Sequence, residues 1–526
     1  METLVVTFVR LAGLLAAYRL AIFLYNISPF HPLHKFPGPR FASMTYAYEA
    51  YYDLWLDGKY TRRIKTMHGE YGPIVRINPD ELHCADPDML DEIYAGGGRA
   101  RDKWEHYAAI MPLSRAGFAT ISHDVHRVRR GAMARHFSRA QMLKLEGEIR
   151  DFTVRTVNKM IRCAGDPGFD VKEVFNCHTA DIISQYCFGE SMGFTDQEGF
   201  EPNFGTWVKY AHITSLYLAY TPEISNQSTC RSFLKTSYAV RHLTRNIPGF
   251  GALINTASSY FGSYMGEDVR NIHDQQRVHI PGHINRAIAN KENGRVFAEL
   301  LNSPLLPKSD KAMKRLVGEG FTLLVAGTET TAATLTYLVY RLLSEPTILK
   351  RLQEDMGNVD PKWTQLERVP YLWATVHEAL RFTPGIAHRS ARKAPLEELI
   401  YDKGEYHYIV PKGTPIGMSS MIQNMDPILF PNPQEFKPER WLLADGQQNY
   451  ALEKKLLSFS RGSRICLGMD LAYCEMYLMA AELVLRVLPH SRLVDTTLED
   501  VEYHHDCIVA SPKSGFIAVR MVIDAE

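Results

Sequence analysis

Phe459-Ser460-Arg461-Gly462-Ser463-Arg464-Ile465-Cys466-Leu467-Gly468 is the stretch that decides the fold of this 526-residue chain. Gly462 can take backbone angles that other residues avoid, so the stretch predicts a tight turn. The run from Leu467 to Leu488 is apolar and predicts a helix directly after it. Cys466 would then lie just before the first helical turn, where free N–H groups and the helix dipole favour a thiolate over a thiol. Arg464 adds a positive charge two residues away.

The composition of the whole chain limits what this cysteine can be. The eight cysteines form no C-x-x-C pair, no C-x-x-C-H haem attachment and no zinc-ribbon repeat, so neither a disulfide scaffold nor a structural zinc site is predicted. The 59 Lys and Arg residues balance 59 Asp and Glu, so no global field attracts nucleic acid. With 45% hydrophobic residues the chain can bury a large core, where an isolated cysteine is most often a small apolar residue.

The wider pattern around the cysteine argues for chemistry instead. The stretch matches F-x-x-G-x-R-x-C-x-G at every fixed position and resembles the haem-binding signature of the cytochrome P450 family. The resemblance implies that Cys466 is the thiolate ligand of a haem b iron, that Arg464 contacts a haem propionate, and that Phe459 belongs to the haem site. Thiolate ligation favours cleavage of the O–O bond. The implied fold is mainly α with a minor β region, a single large domain with haem between a long central helix and the cysteine-loop helix.

A second motif is His377-Glu378-Ala379-Leu380-Arg381, a near miss for the H-E-x-x-H zinc motif. The second histidine is absent, so a metalloprotease is excluded. Glu378 and Arg381 are three residues apart on a predicted helix and can face each other as an ion pair. In the family that this chain resembles, E-x-x-R pairs with the arginine of a later P-E-R segment, which implies a structural role for Arg440 in Pro438-Glu439-Arg440-Trp441.

The longest predicted helix runs from Asp310, a candidate N-cap, to Ser344, with no proline inside it. Its length would be about 52 Å. Glu319, Glu329 and Arg341 would make a membrane span costly, so a central helix through the globular body is the better interpretation.

This helix contains Ala326-Gly327-Thr328-Glu329-Thr330-Thr331, which resembles the A-G-x-E-T oxygen-binding motif of cytochromes P450. Gly327 would leave room for a small ligand. Cleavage of O2 consumes protons, and the Thr330 hydroxyl with the Glu329 carboxylate are the predicted catalytic groups for supplying them. The alternative for each is ordinary, because a helical Thr often bonds the carbonyl four residues earlier and an acid on a helix is usually solvated.

Further haem contacts are implied at His126, Arg130 and Arg389. Cytochromes P450 commonly carry W-x-x-x-R where this chain has His126 and, four residues later, Arg130; the histidine departs from the family pattern. Arg389 stands eight residues after Arg381, where the family often supplies another propionate partner. Arg127 and Arg129 belong either to solvent or to a cationic docking face with Lys454, Lys455 and Arg461.

The N-terminal sequence predicts a membrane anchor over residues 1–28, followed by a proline-rich hinge at 29–40 and the catalytic domain at 41–526. Leu4 to Tyr25 is mostly apolar and would give about 33 Å of helix, enough for one bilayer crossing. Arg10 and Arg19 interrupt the run, and a buried core helix is the alternative. The prediction implies a single-pass protein of the endoplasmic reticulum membrane with its catalytic domain in the cytosol.

The resemblance covers almost the whole chain and is closest to fungal microsomal members that act in secondary metabolism, judged from 31–40, 72–83 and 122–130. It implies insertion of one oxygen atom from O2 into a hydrophobic small molecule such as a terpenoid or polyketide, by hydroxylation or epoxidation. The electrons would come from a separate NADPH–cytochrome P450 reductase. The segments expected to select the substrate are 100–122, 204–265, Gly318 to Val325, 384–388 and His504 to Val509. A haem-thiolate isomerase or dehydratase and a non-catalytic haem binder remain alternatives.

Overall fold

One long helix, Met313–Ser344, crosses the core of the protein and is called the central helix below. The computed structural model describes residues 2–108, 116–200, 242–243, 275–290, 294–357, 359–507, 509–515 and 517–525. The central helix ends at Ser344 as predicted but begins at Met313. Asp310 lies in a 3-10 turn, where its carboxylate accepts hydrogen bonds from Arg129 Nε at 2.8 Å and Nη2 at 2.9 Å instead of capping the helix.

The predicted predominance of helix is confirmed. The α-helices of at least eight residues span Glu2–Ile27, Tyr60–Tyr71, His123–Ala134, Arg139–Arg162, Val171–Phe188, Ile280–Asn290, Met313–Ser344, Pro346–Met356, Pro370–Phe382 and Met469–Glu482. Shorter helices span Arg40–Met44, Ala47–Ala50, Leu90–Ile93, Glu105–Ala108, Val296–Leu300, Trp363–Leu366, Ser420–Gln423 and Tyr450–Glu453. Helices Val171–Phe188, Ile280–Asn290, Pro370–Phe382 and Met469–Glu482 pack against the central helix and form one hydrophobic core with it.

The β structure is small and is divided among four sheets within the described residues. The strands are β1 Ile74–Arg76, β2 Leu82–Cys84, β3 Asp102–Lys103, β4 Phe169–Asp170, β5 Arg392–Lys393, β6 Leu399–Lys403, β7 Tyr406–Val410, β8 Pro415–Gly417, β9 Ser491–Leu493, β10 His505–Cys507, β11 Val509–Ser511 and β12 Arg520–Ile523. The largest sheet has the order β1-β2-β8-β5-β3, a second has the order β4-β12-β9, and β6-β7 and β10-β11 are hairpins. The hairpin predicted near residues 74–85 and the strand predicted at Tyr406–Val410 are both present.

The N-terminal residues Glu2–Ile27 form one continuous helix. Across the described ranges, no helix combines enough length with enough apolar character to cross a membrane. The proline-rich segment after this helix packs against the body of the protein. Leu33 and Phe36 are buried in a cluster with strands β1 and β2, and the Arg76 N–H donates to the Pro37 carbonyl at 2.8 Å.

Candidate active site

A cavity lies between the central helix and residues 459–468, which are called the cysteine loop. Its wall is largely apolar and includes Phe118, Met133, Phe137, Ile183, Leu323 and Ile386. Cys466 and Thr330 both line it, so the structure brings together the two strongest motifs of the sequence.

The cysteine loop is fixed through its backbone. Gly462 has φ +66°, and a Cβ at this position would lie 1.7 Å from the Tyr94 carbonyl oxygen. The Ser463 N–H donates to the Ala95 carbonyl at 3.2 Å, and the Cys466 N–H donates to the Phe459 carbonyl at 2.9 Å. The predicted turn at Gly462 is confirmed, and the absence of a side chain there lets the loop approach residues 94–95 closely.

Gly462→Ala is therefore expected to displace the cysteine loop and to lower the free energy of unfolding by about 3 kcal/mol, because the new methyl group meets backbone atoms that cannot move aside. Gly413→Ala is the matched control, since Gly413 has a similar φ of +74° but no atom within 4 Å of an added Cβ. Its expected cost is about 1 kcal/mol. Urea unfolding and haem content measure both variants; equal losses would contradict the role of the contact with Tyr94.

The Cys466 Sγ opens onto the cavity and is enclosed by protein on its other sides. Burial raises the pKa of the Cys466 thiol, and this effect outweighs the Gly468 N–H and Arg130, which act in the opposite direction. The Gly468 N–H near the helix start favours the thiolate, as predicted, but burial has the larger effect on the pKa in the polypeptide by itself. A thiolate here needs a cation bound on the cavity side, as a coordinated iron would provide.

Four basic side chains converge on one edge of the cavity around His126: Lys103, Arg130, Arg392 and Arg464. Burial lowers the pKa of His126 to about 2, and the four cations add to this effect. The imidazole is therefore neutral. Lys103 and Arg392 are direct partners across β3 and β5, a placement of like charges that is unfavourable unless an anion lies nearby. This edge is suited to carboxylates such as the propionates of haem.

Two of these cations are oriented by backbone carbonyls. Arg130 Nη1 donates to the Ile465 carbonyl at 2.7 Å. Arg464 donates from Nε to the Arg101 carbonyl at 3.2 Å, and from Nη1 and Nη2 to the carbonyls of Thr120 at 2.7 Å and Ile121 at 2.6 Å. Burial lowers the pKa of Arg464 to about 9. The predicted residues Arg464, Arg130, His126 and Phe459 all line the cavity.

The predicted haem contact of Arg389 is corrected by the structure. Arg389 is 1% exposed, and its Nε and Nη2 donate to Glu81 Oε1 at 3.0 Å and Glu49 Oε1 at 2.6 Å. It does not line the cavity, whereas Arg392 does. The physical reason is that two buried carboxylates hold the Arg389 guanidinium elsewhere. Lys103 was also missed by sequence reasoning, because it comes beside Arg392 only through the long-range pairing of β3 with β5.

Arg129, one of the candidate residues for a cationic docking face, is paired with Asp310. Its Nε lies 2.8 Å from Asp310 Oδ2 in a largely buried ion pair.

The central helix presents Thr330 to the cavity but not Glu329. Thr330 Oγ1 donates to the Ala326 carbonyl at 2.8 Å. This is the ordinary helical hydrogen bond to the carbonyl four residues earlier, given above as the alternative for this threonine. Glu329 does not line the cavity; its Oε2 lies 2.8 Å from Lys172 Nζ on helix Val171–Phe188. Neighbouring helical residues point about 100° apart, and Glu329 is directed toward helix Val171–Phe188 and away from the cavity. The catalytic role predicted for Glu329 is therefore corrected to an ion pair between helices.

Gly327 lines the cavity beside Thr330, and its missing side chain has a second consequence. A Cβ there would lie 2.8 Å from Ile183 Cγ1, so the missing side chain allows the central helix to pack closely against helix Val171–Phe188.

The ion pair predicted between Glu378 and Arg381 is present, and both side chains are 0% exposed. Arg381 Nε donates to Glu378 Oε2 at 2.8 Å and Nη2 donates to Oε1 at 2.8 Å. Arg440 Nε donates to Glu378 Oε1 at 3.1 Å, as the P-E-R segment implied. Trp441 Nε1 adds a bond to Glu378 Oε2 at 2.8 Å. One buried carboxylate thus binds two arginines and a tryptophan.

Asn424 connects this ion pair to Leu457 and Ser458, the two residues directly before the cysteine loop. Its Nδ2 donates to the Arg381 carbonyl at 3.2 Å and to Ser458 Oγ at 3.0 Å. Its Oδ1 accepts from the Leu457 N–H at 3.1 Å. Asn424 is 0% exposed and was missed by sequence reasoning, since no local motif marks it.

Glu475 is a buried acid on the cysteine-loop side of the cavity. It is 1% exposed, and its Oε2 accepts no hydrogen bond within the described part of the chain. Burial raises the pKa of Glu475 well above its ordinary value of 4.5. Burial therefore favours the protonated form of this side chain in the folded protein.

Glu475→Gln is expected to gain stability relative to the wild type as pH rises. The unfolded chain ionises Glu475 above about pH 4.5 while the folded chain keeps the proton, so its contribution is full below that pH and is lost as pH rises toward the folded pKa. Urea unfolding of both proteins at about pH 5 and about pH 8 measures the difference. A difference between the two proteins that is the same at both pH values would contradict the prediction.

Some of the segments predicted to select the substrate line the cavity, and others lie partly or wholly outside the described residues. Gly117 and Phe118, Thr322 and Leu323, and Gly385 and Ile386 all line the cavity. Segment 204–265 lies outside the described residues apart from 242–243. The turn near His504 does not line the cavity in its described part; there the Asp506 N–H donates to the Gly58 carbonyl at 2.9 Å and Asp506 Oδ2 accepts from the Thr61 N–H at 3.0 Å. Residue 508, at the tip of this turn, lies outside the described residues, so this part of the prediction stays a prediction.

A mainly helical fold with a cysteine sulfur on an apolar cavity and cations along one edge defines a haem-thiolate protein. Residues 49–490 match the family model described as Cytochrome P450. This chain belongs to the cytochrome P450 family.

Named relatives are similar in sequence to this chain over most of its length. Cytochrome P450 monooxygenase ppzE of Metarhizium majus is 36% identical over 84% of this chain and 92% of its own length. Cytochrome P450 monooxygenase oblB of Cochliobolus heterostrophus is 35% identical, covering 96% of this chain and 94% of its own. Tryptophan 6-hydroxylase fscE of Fusarium equiseti is 35% identical, covering 94% and 92%. The protein is therefore a haem monooxygenase, and the predicted fold class and enzyme class are confirmed.

The family implies a haem with a cysteine thiolate ligand. The residues present fit that group, because the Cys466 sulfur opens onto the cavity and needs a cation, while the cationic edge suits the propionates.

Proposed function

We propose that this enzyme hydroxylates or epoxidises a hydrophobic small molecule of fungal secondary metabolism, such as a terpenoid, a polyketide or an aromatic intermediate. The observation that carries the proposal is the cavity itself, which has Cys466 on one side, Thr330 on the other and apolar side chains between them. Two relatives whose names specify hydroxylation of tryptophan and of N-acetyltryptophan support an aromatic substrate among these classes.

Haem b, held by Cys466, would supply the activation of O2 with two electrons from an NADPH–cytochrome P450 reductase. Arg464, Arg130 and His126 would bind its propionates, together with Lys103 and Arg392. Phe459 would contact the ring beside the sulfur. The apolar wall would exclude water from the reacting carbon and hold the substrate by burying its surface.

Thr330 would position the protons that the reaction consumes. Its hydroxyl proton is engaged with the Ala326 carbonyl, so the Oγ1 lone pairs are left to accept a hydrogen bond from a water molecule in the cavity. Such a water molecule can be held close to the reacting oxygen without a charged side chain in the apolar wall. In this arrangement Thr330 positions the protons without Glu329, since Glu329 is paired with Lys172.

Thr330→Ala is accordingly expected to lower the amount of product per NADPH consumed by at least about tenfold, because proton delivery by a positioned group contributes strongly to such steps. Thr336→Ala is the matched control: Thr336 makes the same helical bond, to the Ala332 carbonyl at 2.7 Å, but does not line the cavity. Product and NADPH are measured together. Unchanged coupling in Thr330→Ala would contradict the assigned role.

The reaction class is tested with purified reductase, NADPH and ¹⁸O-labelled O2 on metabolite extracts of a strain that lacks the gene. One labelled oxygen atom is expected in a product, and none without reductase. Conversion that proceeds without O2 and NADPH would instead favour an isomerase or dehydratase.

We also infer that residues 1–28 hold the enzyme at the endoplasmic reticulum, with the catalytic domain in the cytosol. Support comes from the apolar run Leu4 to Tyr25 and from the location typical of fungal members of the family. Cell fractionation of the full chain beside one lacking residues 1–28 tests the inference; equal distribution would overturn it.

A further inference from the structure

Glu319 is a carboxylate buried in the wall of the substrate cavity. It is 2% exposed and lines the cavity from the central helix. Its Oε2 accepts from Arg315 Nη1 at 2.6 Å and from the Gly117 N–H at 2.9 Å. Its Oε1 accepts no hydrogen bond from the residues that the structure describes. One oxygen is thus anchored by protein, and the other is left for a molecule in the cavity.

Burying the Arg315–Glu319 ion pair in the cavity wall costs free energy. Both side chains are at most 3% exposed, and Arg315 Nη2 also has no hydrogen-bond partner among the described residues. Removing a charged pair from water costs several kcal/mol unless the remaining hydrogen-bonding capacity is used. An apolar pair would line a purely hydrophobic pocket at lower cost, so the carboxylate indicates that the ligand carries a polar group.

The charge balance of the pair indicates what kind of polar group this is. Arg315 lies beside Glu319 and compensates its negative charge, so a cationic ligand would bring an uncompensated charge into the cavity. A carboxylate oxygen can only accept hydrogen bonds. The complementary group is therefore a neutral N–H or O–H donor.

The spacing along the helix places Glu319 and Thr330 on the same face of the central helix. Glu319, Leu323, Ala326 and Thr330 are separated by four, three and four residues, and all line the cavity. Residues with this spacing lie on one helix face. From Glu319 to Thr330 the rise is about 16 Å, at about 1.5 Å per residue. Glu319 therefore lies at the far end of the stripe that leads to Thr330.

We propose that Glu319 Oε1 accepts a hydrogen bond from the substrate, which is a hydrophobic molecule with a neutral N–H or O–H donor remote from the carbon that is oxidised. This assignment rests on the monooxygenase function proposed above. It makes Glu319 a specificity-determining residue, with Arg315 as the residue that positions its carboxylate.

The test uses two probes that differ in a single donor, 3-hexylindole and 1-methyl-3-hexylindole. Their dissociation constants are measured on the haem-loaded protein by the shift of the Soret band and by calorimetry. The N–H probe is expected to bind wild-type protein at least about tenfold more tightly, as a hydrogen bond to a charged group allows. Equal affinities, or no binding of either probe, would overturn the proposal.

Variants separate Glu319 from the rest of the cavity. Arg315→Leu/Glu319→Leu removes the pair without leaving an unpaired buried charge and is expected to bind both probes equally. Glu319→Gln keeps an acceptor oxygen and is expected to retain part of the preference. Thr336→Val is the control, because the Thr336 hydroxyl bonds the Ala332 carbonyl at 2.7 Å and does not line the cavity, and its preference should equal that of wild type. A preference that survives in the double variant would contradict the role of Glu319.

The CO spectrum of each preparation distinguishes failure of this inference from failure of the proposed function. A preparation without the haem-thiolate spectrum contradicts the function. A normal spectrum together with equal probe affinities contradicts only the role of Glu319.

Discussion

Replacing Cys466 with alanine is expected to abolish the strongly red-shifted Soret band that the reduced wild-type protein should give with CO. Cys466 has its sulfur on the cavity, and no other cysteine lines that cavity within the described ranges. Without the sulfur, no thiolate reaches a haem iron, and monooxygenase activity should fall below detection. The measurement is the CO difference spectrum, recorded with haem content and activity on the same preparation.

Cys474→Ala is the control for this experiment. Cys474 is 0% exposed and lies in the helix that follows the cysteine loop, so its loss tests packing in the same region without touching the sulfur in the cavity. The control should keep the red-shifted band. A red-shifted band in Cys466→Ala would show that another side chain holds the iron, and the assignment of the site would have to be abandoned.

Glu378→Ala should have the largest effect on stability. It removes the acceptor shared by Arg381, Arg440 and Trp441 and leaves the Arg381 guanidinium, 0% exposed, without a carboxylate. Breaking a buried pair from one side costs about 3–5 kcal/mol, a large part of the about 5–15 kcal/mol that holds a typical domain together. Urea unfolding, soluble yield and haem content are the measurements.

Two further variants test whether the loss of stability in Glu378→Ala comes from the buried ion pair itself. Glu378→Gln keeps an acceptor oxygen for Trp441 and should be less destabilised than Glu378→Ala. Lys350→Ala breaks the exposed pair with Glu354, whose charged atoms are 4.0 Å apart, and should change stability by less than about 1 kcal/mol. If Glu378→Ala were as stable as Lys350→Ala, the buried pair would not be holding the fold.

The sequence allowed the parts of the site that depend on neighbours in the chain to be predicted. The turn at Gly462 and the pairing of Glu378 with Arg381 involve residues within a few positions of each other or within one motif. Their backbone geometry follows from local spacing, and the structure confirms both.

The errors arose where a distant partner decides the direction of a side chain. Arg389 was predicted to contact the haem because of its spacing from Arg381, yet Glu49 and Glu81, more than 300 residues away in sequence, hold it. Glu329 was assigned to the cavity by its motif, but Lys172 on another helix holds it. In each case the side chain is held by an ion pair that only the tertiary fold creates. A pattern in a single sequence does not indicate such a distant partner.

The link through Asn424 implies that the wall of the substrate cavity can be changed without disturbing the support of the cysteine loop. Asn424 joins Leu457 and Ser458, directly before that loop, to the Glu378 ion pair, and none of these bonds involves Phe118, Leu323 or Ile386. A mutant library confined to those three positions should change which molecules are accepted without removing any of these bonds.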